Sequence, residues 1–161
     1  MVAFLYRMPS GIPGDISRRA DSTIITKILN SASAFSAYGL FGKMSAGKFV
    51  PLGSGDTAGT EYGLLARPFP TQSSTDPLGT STPPTTGPCD VMRRGFMTVK
   101  NNAGTAADGG QVYVRVANAA AGKPIGGIEA AADGGNTIAI ARCFFTCAAD
   151  ASGNVEIEFN Q

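Results

Sequence analysis

Hydrophobic and polar residues alternate most clearly in the second half of the chain. Residues 112–116 carry valine at every second position, so that Tyr113 and Arg115 point to the opposite face. Residues 155–159 repeat the pattern, with Val155, Ile157 and Phe159 facing inward and two glutamates facing outward. A period of two is typical of half-buried β-strands, and these two segments predict strands with a defined core face.

Turn residues divide the rest of the chain into short segments of the same kind. Runs such as Asp108-Gly109-Gly110 and Asp150-Ala151-Ser152-Gly153 separate candidate strands about every ten residues. Ser45-Ala46-Gly47 indicates the turn of a hairpin. The predicted strands cover residues 22–29, 38–44, 48–52, 62–67, 95–100, 111–117, 127–131, 137–147 and 154–159. This spacing favours an all-β fold, a single jelly-roll-like sandwich domain.

Two segments do not fit the strand pattern. Residues 1–21 combine apolar side chains with two prolines and two glycines between Pro9 and Gly14, which forbid a helix. We predict that this segment is an extended arm that becomes ordered by docking on a neighbour, and that residues 22–161 form the domain. Residues 71–88 are rich in Ser, Thr, Pro and Gly, which predicts a surface loop.

The charge and hydrophobicity of the chain exclude several classes of function. Among 161 residues, charged side chains make up only 16% and the net charge is +1, so no global field favours nucleic acid or a membrane. No stretch has the length and apolar character of a membrane span, and the N-terminus lacks the pattern of a signal peptide. We therefore expect a protein made in a cytoplasm, with Cys89, Cys143 and Cys147 as reduced thiols.

The sequence contains few candidates for a catalytic, metal-binding or phosphate-binding site. The chain contains no histidine, which removes the commonest general base and zinc ligand. Cys143 and Cys147 lack the further ligands of a metal site. Residues 42–48 spell G-x-x-x-x-G-K, but Phe49 follows where a phosphate-binding loop needs Ser or Thr. We expect no enzymatic activity, no cofactor and no small-molecule substrate.

The arginines beside Pro, Gly or aromatic residues are the best candidates for contacts with another protein. Arginine in such places makes bidentate contacts to carboxylates across interfaces. For Arg67, Arg93 and Arg94, pairing with acids of the same domain is an equally good interpretation.

Six segments together resemble the structural cement, or capsid decoration, proteins of short-tailed bacteriophages. They are residues 6–18, 62–72, 90–97, 112–117, 126–133 and 149–160. The resemblance implies a jelly roll that binds the outside of an icosahedral capsid. It also implies that the protein ties neighbouring major capsid proteins together as a homodimer, on the outer surface of a virion assembled in the host cytoplasm.

The interface that we expect on this basis combines apolar arm residues with the candidate arginines. It comprises Tyr6, Arg7, Met8, Pro9, Ile12, Pro13, Arg18, Arg19, Arg67, Arg93 and Arg94. We expect Arg7 and Arg18 to pair with capsid carboxylates while Tyr6, Met8 and Ile12 fill apolar pockets. The alternative is a head-fibre or receptor-binding component that uses the 71–88 loop, although the chain lacks heptads and β-helix repeats.

Overall fold

The computed structural model describes residues 11–68 and 82–161, and there the chain is built from β-strands joined by turns. Two short 3₁₀ turns lie at Arg19–Asp21 and Gly134–Asn136. The strands are β1 (Thr23–Leu29), β2 (Phe41–Ser45), β3 (Lys48–Pro51), β4 (Gly63–Leu65), β5 (Gly87–Lys100), β6 (Gln111–Arg115), β7 (Ile128–Glu129), β8 (Thr137–Phe145) and β9 (Asn154–Asn160). The predicted all-β, single sandwich domain is confirmed.

The first five strands close on themselves. Their order is β1-β3-β2-β4-β5, and β1 also pairs antiparallel with β5, so the pairing forms a ring. Each strand sends apolar side chains inside, where a smaller core forms around Leu29, Phe49, Leu65 and Val91. Phe35, from the connection between β1 and β2, stacks on the Phe49 ring with centroids 5.0 Å apart.

Strand β5 continues beyond the ring into the second part of the sheet, whose order is β5-β9-β8-β6-β7. The larger core lies between this part and the outside of the ring. Phe41 of β2 and Phe159 of β9 meet there edge to face at 5.2 Å. Val112, Val114 and Ile157 are fully buried in the same cluster, which confirms the core faces predicted from alternation.

The strand predictions hold with one substantial correction. The hairpin at 45–48 is present, and Ala46 and Gly47 both have positive φ, as a tight two-residue hairpin turn requires. Strand β5 begins at Gly87, not near residue 95, so the predicted 71–88 loop ends two residues early. Pro88 sits in register opposite Ile28. Residues 71–81 of that loop lie outside the described residues.

An ion cluster joins β6, β7 and the turn before β8; its Arg115–Glu129 pair is buried, while Asp133 is partly exposed. Arg115 is 2% exposed and donates through Nε and Nη2 to the two carboxylate oxygens of Glu129, at 2.5 and 3.1 Å. Its Nη2 also contacts the Asp133 carboxylate at 2.6 Å, and its Nη1 reaches the carbonyls of Ala117 and Asn118. The face opposite the valines of β6 is therefore covered rather than solvated.

In the described part of the chain, no helix is long and apolar enough to span a membrane.

Replacing Arg115 with Met should destabilise the protein strongly. The change leaves Glu129, which is 1% exposed, as a buried charge without its partner, and breaking such a pair costs about 3–5 kcal/mol. Urea unfolding should show this loss, whereas Lys48→Ala, at an exposed position of β3, should stay within about 0.5 kcal/mol of the native protein. A loss below about 1 kcal/mol for Arg115→Met contradicts the prediction.

The pairing of Asp133 with Arg115 should appear as a pH dependence of stability. Hydrogen bonding from the guanidinium lowers the pKa of Asp133 below its ordinary value of 3.8. A lowered folded-state pKa contributes stability that is present above the ordinary value and is lost as the pH falls through the folded value. The free energies of unfolding of the native protein and Asp133→Asn should therefore differ at pH 6 and converge toward pH 2. A difference that stays constant over this range contradicts the prediction.

Candidate functional site

Four of the predicted contact residues, Tyr6, Arg7, Met8 and Pro9, lie outside the described residues. Ile12 is 40% exposed and Pro13 is half-buried. The exposed position of Ile12 leaves its side chain open to solvent, and its predicted contact with a capsid pocket stays a prediction.

The residues that follow are bound to their own domain. We call Gly14–Arg18 the anchor segment, because it runs antiparallel along the free edge of β5. The Gly14 N–H donates to the Thr98 carbonyl at 2.8 Å, and the Thr98 N–H donates to the Asp15 carbonyl at 2.9 Å. The Ser17 N–H donates to β5 at 3.1 Å. The anchor segment thus continues the β-ladder beyond the start of β1.

Gly14 is the point where three segments of backbone meet. Its carbonyl accepts a hydrogen bond from the Arg67 N–H at 2.8 Å, while its N–H is bound to β5. Its φ is +92°, and a Cβ at this position would lie 2.5 Å from Cβ of Tyr38. Only glycine fits both the backbone conformation and the space. Arg67 is buried here, with its guanidinium 5.8 Å from the centre of the Tyr38 ring.

Arg18 ends the anchor segment on the outer face of β5 and β9. Its guanidinium lies 4.0 Å from the centre of the Phe96 ring, and its Nη2 contacts the Glu156 carboxylate at 2.7 Å. The same carboxylate accepts a hydrogen bond from the Thr146 hydroxyl at 3.1 Å. The sequence indicated Arg18 as a partner-binding residue but did not indicate Glu156 as its intramolecular partner, 138 positions away.

A shallow cleft of about 320 Å³ lies beside Arg18. Arg94, Phe96 and Glu158 line it together with Asp21. Arg94 is exposed, and no carboxylate of the described residues lies within 4.0 Å of it. Arg19 is exposed in the adjoining 3₁₀ turn. Of the predicted arginines, Arg18 and Arg94 therefore line one cleft, whereas Arg67 and Arg93 lie in separate surroundings.

Arg93 belongs to a second cationic group that sequence patterns did not single out. Its guanidinium lies 4.0 Å from the centre of the Tyr62 ring, and the Lys27 ammonium lies 5.4 Å from the same centre. Burial raises the pKa of Tyr62, but hydrogen bonding and charge from Lys27 and Arg93 outweigh it and bring the pKa below its ordinary value of 10. We call these three residues the Tyr62 site.

The surroundings of the thiols do not favour nucleophilic chemistry. Burial, with the nearby charge of Asp90, raises the pKa of Cys89 to about 11, and burial raises that of Cys143 well above its ordinary value. Both are thus protonated near neutral pH, and a thiol is a weak nucleophile. Within residues 11–68 and 82–161, no group of three or more acidic or thiol side chains could hold a metal ion. The two cationic groups thus consist of arginine and lysine side chains beside aromatic rings.

The chain is similar to a known protein family and to a solved structure. Residues 1–159 match the family described as XM1 gp53 minor capsid protein. A solved structure from "The capsid of Myoviridae Phage XM1" superposes with a TM-score of 0.71 at 19% sequence identity, covering 99% of this chain and 96% of that chain. At this identity the likeness shows a shared fold. No curated protein matches the chain.

Replacing Gly14 with Ala should loosen the anchor segment from β5. The new methyl group would overlap Tyr38, so the backbone must move away and its hydrogen bonds to Thr98 must lengthen. Hydrogen exchange of the Gly14 position and of Thr98 should accelerate, with a stability loss of about 1–3 kcal/mol. Gly55→Ala is a matched control, because Gly55 has a φ of +88° but no atom within 4 Å of the added Cβ. Equal exchange of the Thr98 amide in both variants contradicts the steric role of Gly14.

Proposed function

The chain belongs to the XM1 gp53 minor capsid protein family, and from this membership we propose that it binds the outside of the phage capsid and stabilises it by bridging neighbouring major capsid proteins. The match over residues 1–159 is the observation that carries the proposal, since it makes the protein a structural component of the virion capsid. The bridging role, the outer surface and the major capsid protein as partner are our proposal.

The position of the anchor segment supports a tethering role for the residues before it. A pull on residues 1–13 would be transmitted through Gly14 to β5 and to the segment after β4, because Gly14 is hydrogen-bonded to both. Hydrogen bonds to two separate segments distribute a load better than one contact would. The arm would therefore connect its binding surface to the part of the sheet that both halves of the domain share.

The anchor segment also refines which part of the arm contacts the capsid. Gly14–Ser17 make hydrogen bonds to their own domain. We therefore assign the apolar contacts with the capsid to Tyr6, Met8 and Ile12. Arg7 makes the ionic contact. Pro9 and Pro13 restrict the unbound arm and so reduce the entropy lost on docking. We also include in the proposed contact the cleft on β5 and β9 that Arg18 and Arg94 line, together with the exposed Arg19.

The area that a stable protein interface buries favours a contact that involves both the arm and the domain. Stable, specific protein interfaces bury on the order of 1,200 Å² or more in total. An arm of a dozen residues that docks along its whole length, together with the cleft, would reach such an area. Homodimerisation on the capsid would double the contact by linking two such surfaces. This role requires binding alone, with no catalytic step, and assembly would take place where the capsid forms, in the host cytoplasm.

Removal of residues 1–10 should abolish or strongly reduce binding to capsids without unfolding the domain. The cut preserves the anchor segment, whereas a longer deletion through residue 18 would also remove its hydrogen bonds to β5. Co-sedimentation with purified shells should show the loss, and circular dichroism and thermal melting should match the full chain. Lys48→Ala, on the exposed part of β3, should bind normally.

Undiminished binding of the truncated protein would show that the arm is not the tether. Absence of shell binding by the full-length chain would contradict the proposed function itself. Electron cryo-microscopy of decorated shells distinguishes the two capsid roles, because a bridging protein covers the lattice while a fibre protrudes from a few positions.

A further inference from the structure

The Tyr62 site lies at one end of the smaller core. Alternate residues of β5 face into the ring, and Cys89 and Val91 belong to its core, so Arg93 is the next position along that face. On β1, Lys27 stands two positions before the core residue Leu29. Lys27 pairs with Cys89 in the register of β1 and β5, four positions from Arg93, and both side chains reach the ring of the half-buried Tyr62, which precedes β4 on the other edge of β5.

The acids that the structure describes form no ion pair with these cations. Within residues 11–68 and 82–161, no carboxylate oxygen lies within 4.0 Å of Lys27 or Arg93. Glu61 is next in sequence to Tyr62, but its carboxylate is turned to the Gly59 N–H at 2.7 Å. Asp90 accepts a hydrogen bond from Thr26, on the opposite face of β1. Two positive charges thus share one phenol ring without a negative charge between them.

Arg93 also has a donor without an acceptor. Its Nε is buried and makes no hydrogen bond within the described structure. Buried donors of this kind are uncommon in folded proteins, because an unsatisfied donor loses its bond to water without replacement. A guanidinium offers donors in a planar fork that matches the two oxygens of a carboxylate.

We propose that the Tyr62 site binds an aspartate or glutamate side chain of the capsid shell protein, with Arg93 and Lys27 donating to the carboxylate and Tyr62 forming the wall of the pocket. The inference rests on the proposed function, which supplies the partner, and adds two contact residues, Lys27 and Tyr62. Arginine and tyrosine are the residue types that contribute most at protein interfaces. The lowered pKa of Tyr62 is consistent with the excess positive potential that would attract a carboxylate.

A carboxylate of a protein fits this site better than a phosphate of nucleic acid. The whole chain has a net charge of only +1, so it lacks the extended basic surface that following a nucleic acid backbone requires. One pair of cations around one aromatic ring matches a single acidic side chain.

Zero-length cross-linking tests the proposal on the native protein. A carbodiimide joins an amine to a carboxylate only when the two are in contact. After treatment of shells decorated with the full-length protein, mass spectrometry should find Lys27 joined to an Asp- or Glu-containing peptide of the shell protein. Lys48, an exposed lysine on the neighbouring strand β3, serves as the comparison and should not be joined to that peptide.

Binding measurements provide the second arm of the test. Lys27→Gln/Arg93→Gln should bind shells roughly tenfold or more weakly than the native protein, with a smaller dependence on salt. Lys48→Gln/Arg142→Gln removes the same charge from two exposed positions and should bind as the native protein does. Thermal melting of both variants confirms that they are folded.

The outcomes of these experiments distinguish a failure of the Tyr62 site from a failure of the proposed function. If the native protein decorates shells but Lys27 forms no cross-link to the shell protein, the Tyr62 site is not a carboxylate site, whatever the variants do, and the proposed function stands. If the native protein does not decorate shells, both proposals fail together.

Discussion

The structure depends on the pairing of β5 along both of its edges. One edge carries β1 at residues 87–94 and the anchor segment at 96–98, while the other carries β4 and then β9. A strand so shared must bend where its neighbours change. Gly95 provides that point with a φ of +127°, and a side chain there would overlap Ser22. The ring, the second half of the sheet and the base of the arm are all positioned by this one strand.

This arrangement connects the fold to the proposed role. A protein that holds capsid subunits together must transmit force between its contacts without opening locally. The anchor segment and β9 flank β5 at the same residues, so a load on the arm passes directly into the larger core beneath Met97 and Ile157. The buried pair of Arg115 and Glu129, with the partly exposed Asp133 beside it, fixes the far side of that core, because the guanidinium meets the Glu129 carboxylate only when β6 and β7 are paired.

Local sequence patterns predicted the buried strand faces and the hairpin turn. Alternation identified the buried faces of β6 and β9, and Ala46-Gly47 identified the hairpin, because side-chain period and turn conformation are properties of neighbouring residues. The start of β5 was missed because Gly87 and Pro88 are typical of loops, and here they are held by pairing with β1, about 60 positions earlier. The ion pair of Arg18 with Glu156 and the meeting of Lys27, Tyr62 and Arg93 depend on tertiary packing, which no local pattern contains.

The two cationic regions differ in what a partner carboxylate could add to each. Arg18 already stacks on Phe96 and pairs with Glu156, and an exposed pair of this kind is worth about 0–1 kcal/mol. Exchanging Glu156 for a carboxylate of the capsid would replace one such contact by another, so the net gain is small. Among the described residues, Lys27 and Arg93 have no carboxylate within 4.0 Å to give up, and docking would remove water from a half-buried site, where charge interactions are stronger than in bulk solvent. In the proposed complex the larger electrostatic share of binding would therefore come from the Tyr62 site, while Arg18 holds the base of the arm on β5 and β9 through Phe96 and Glu156.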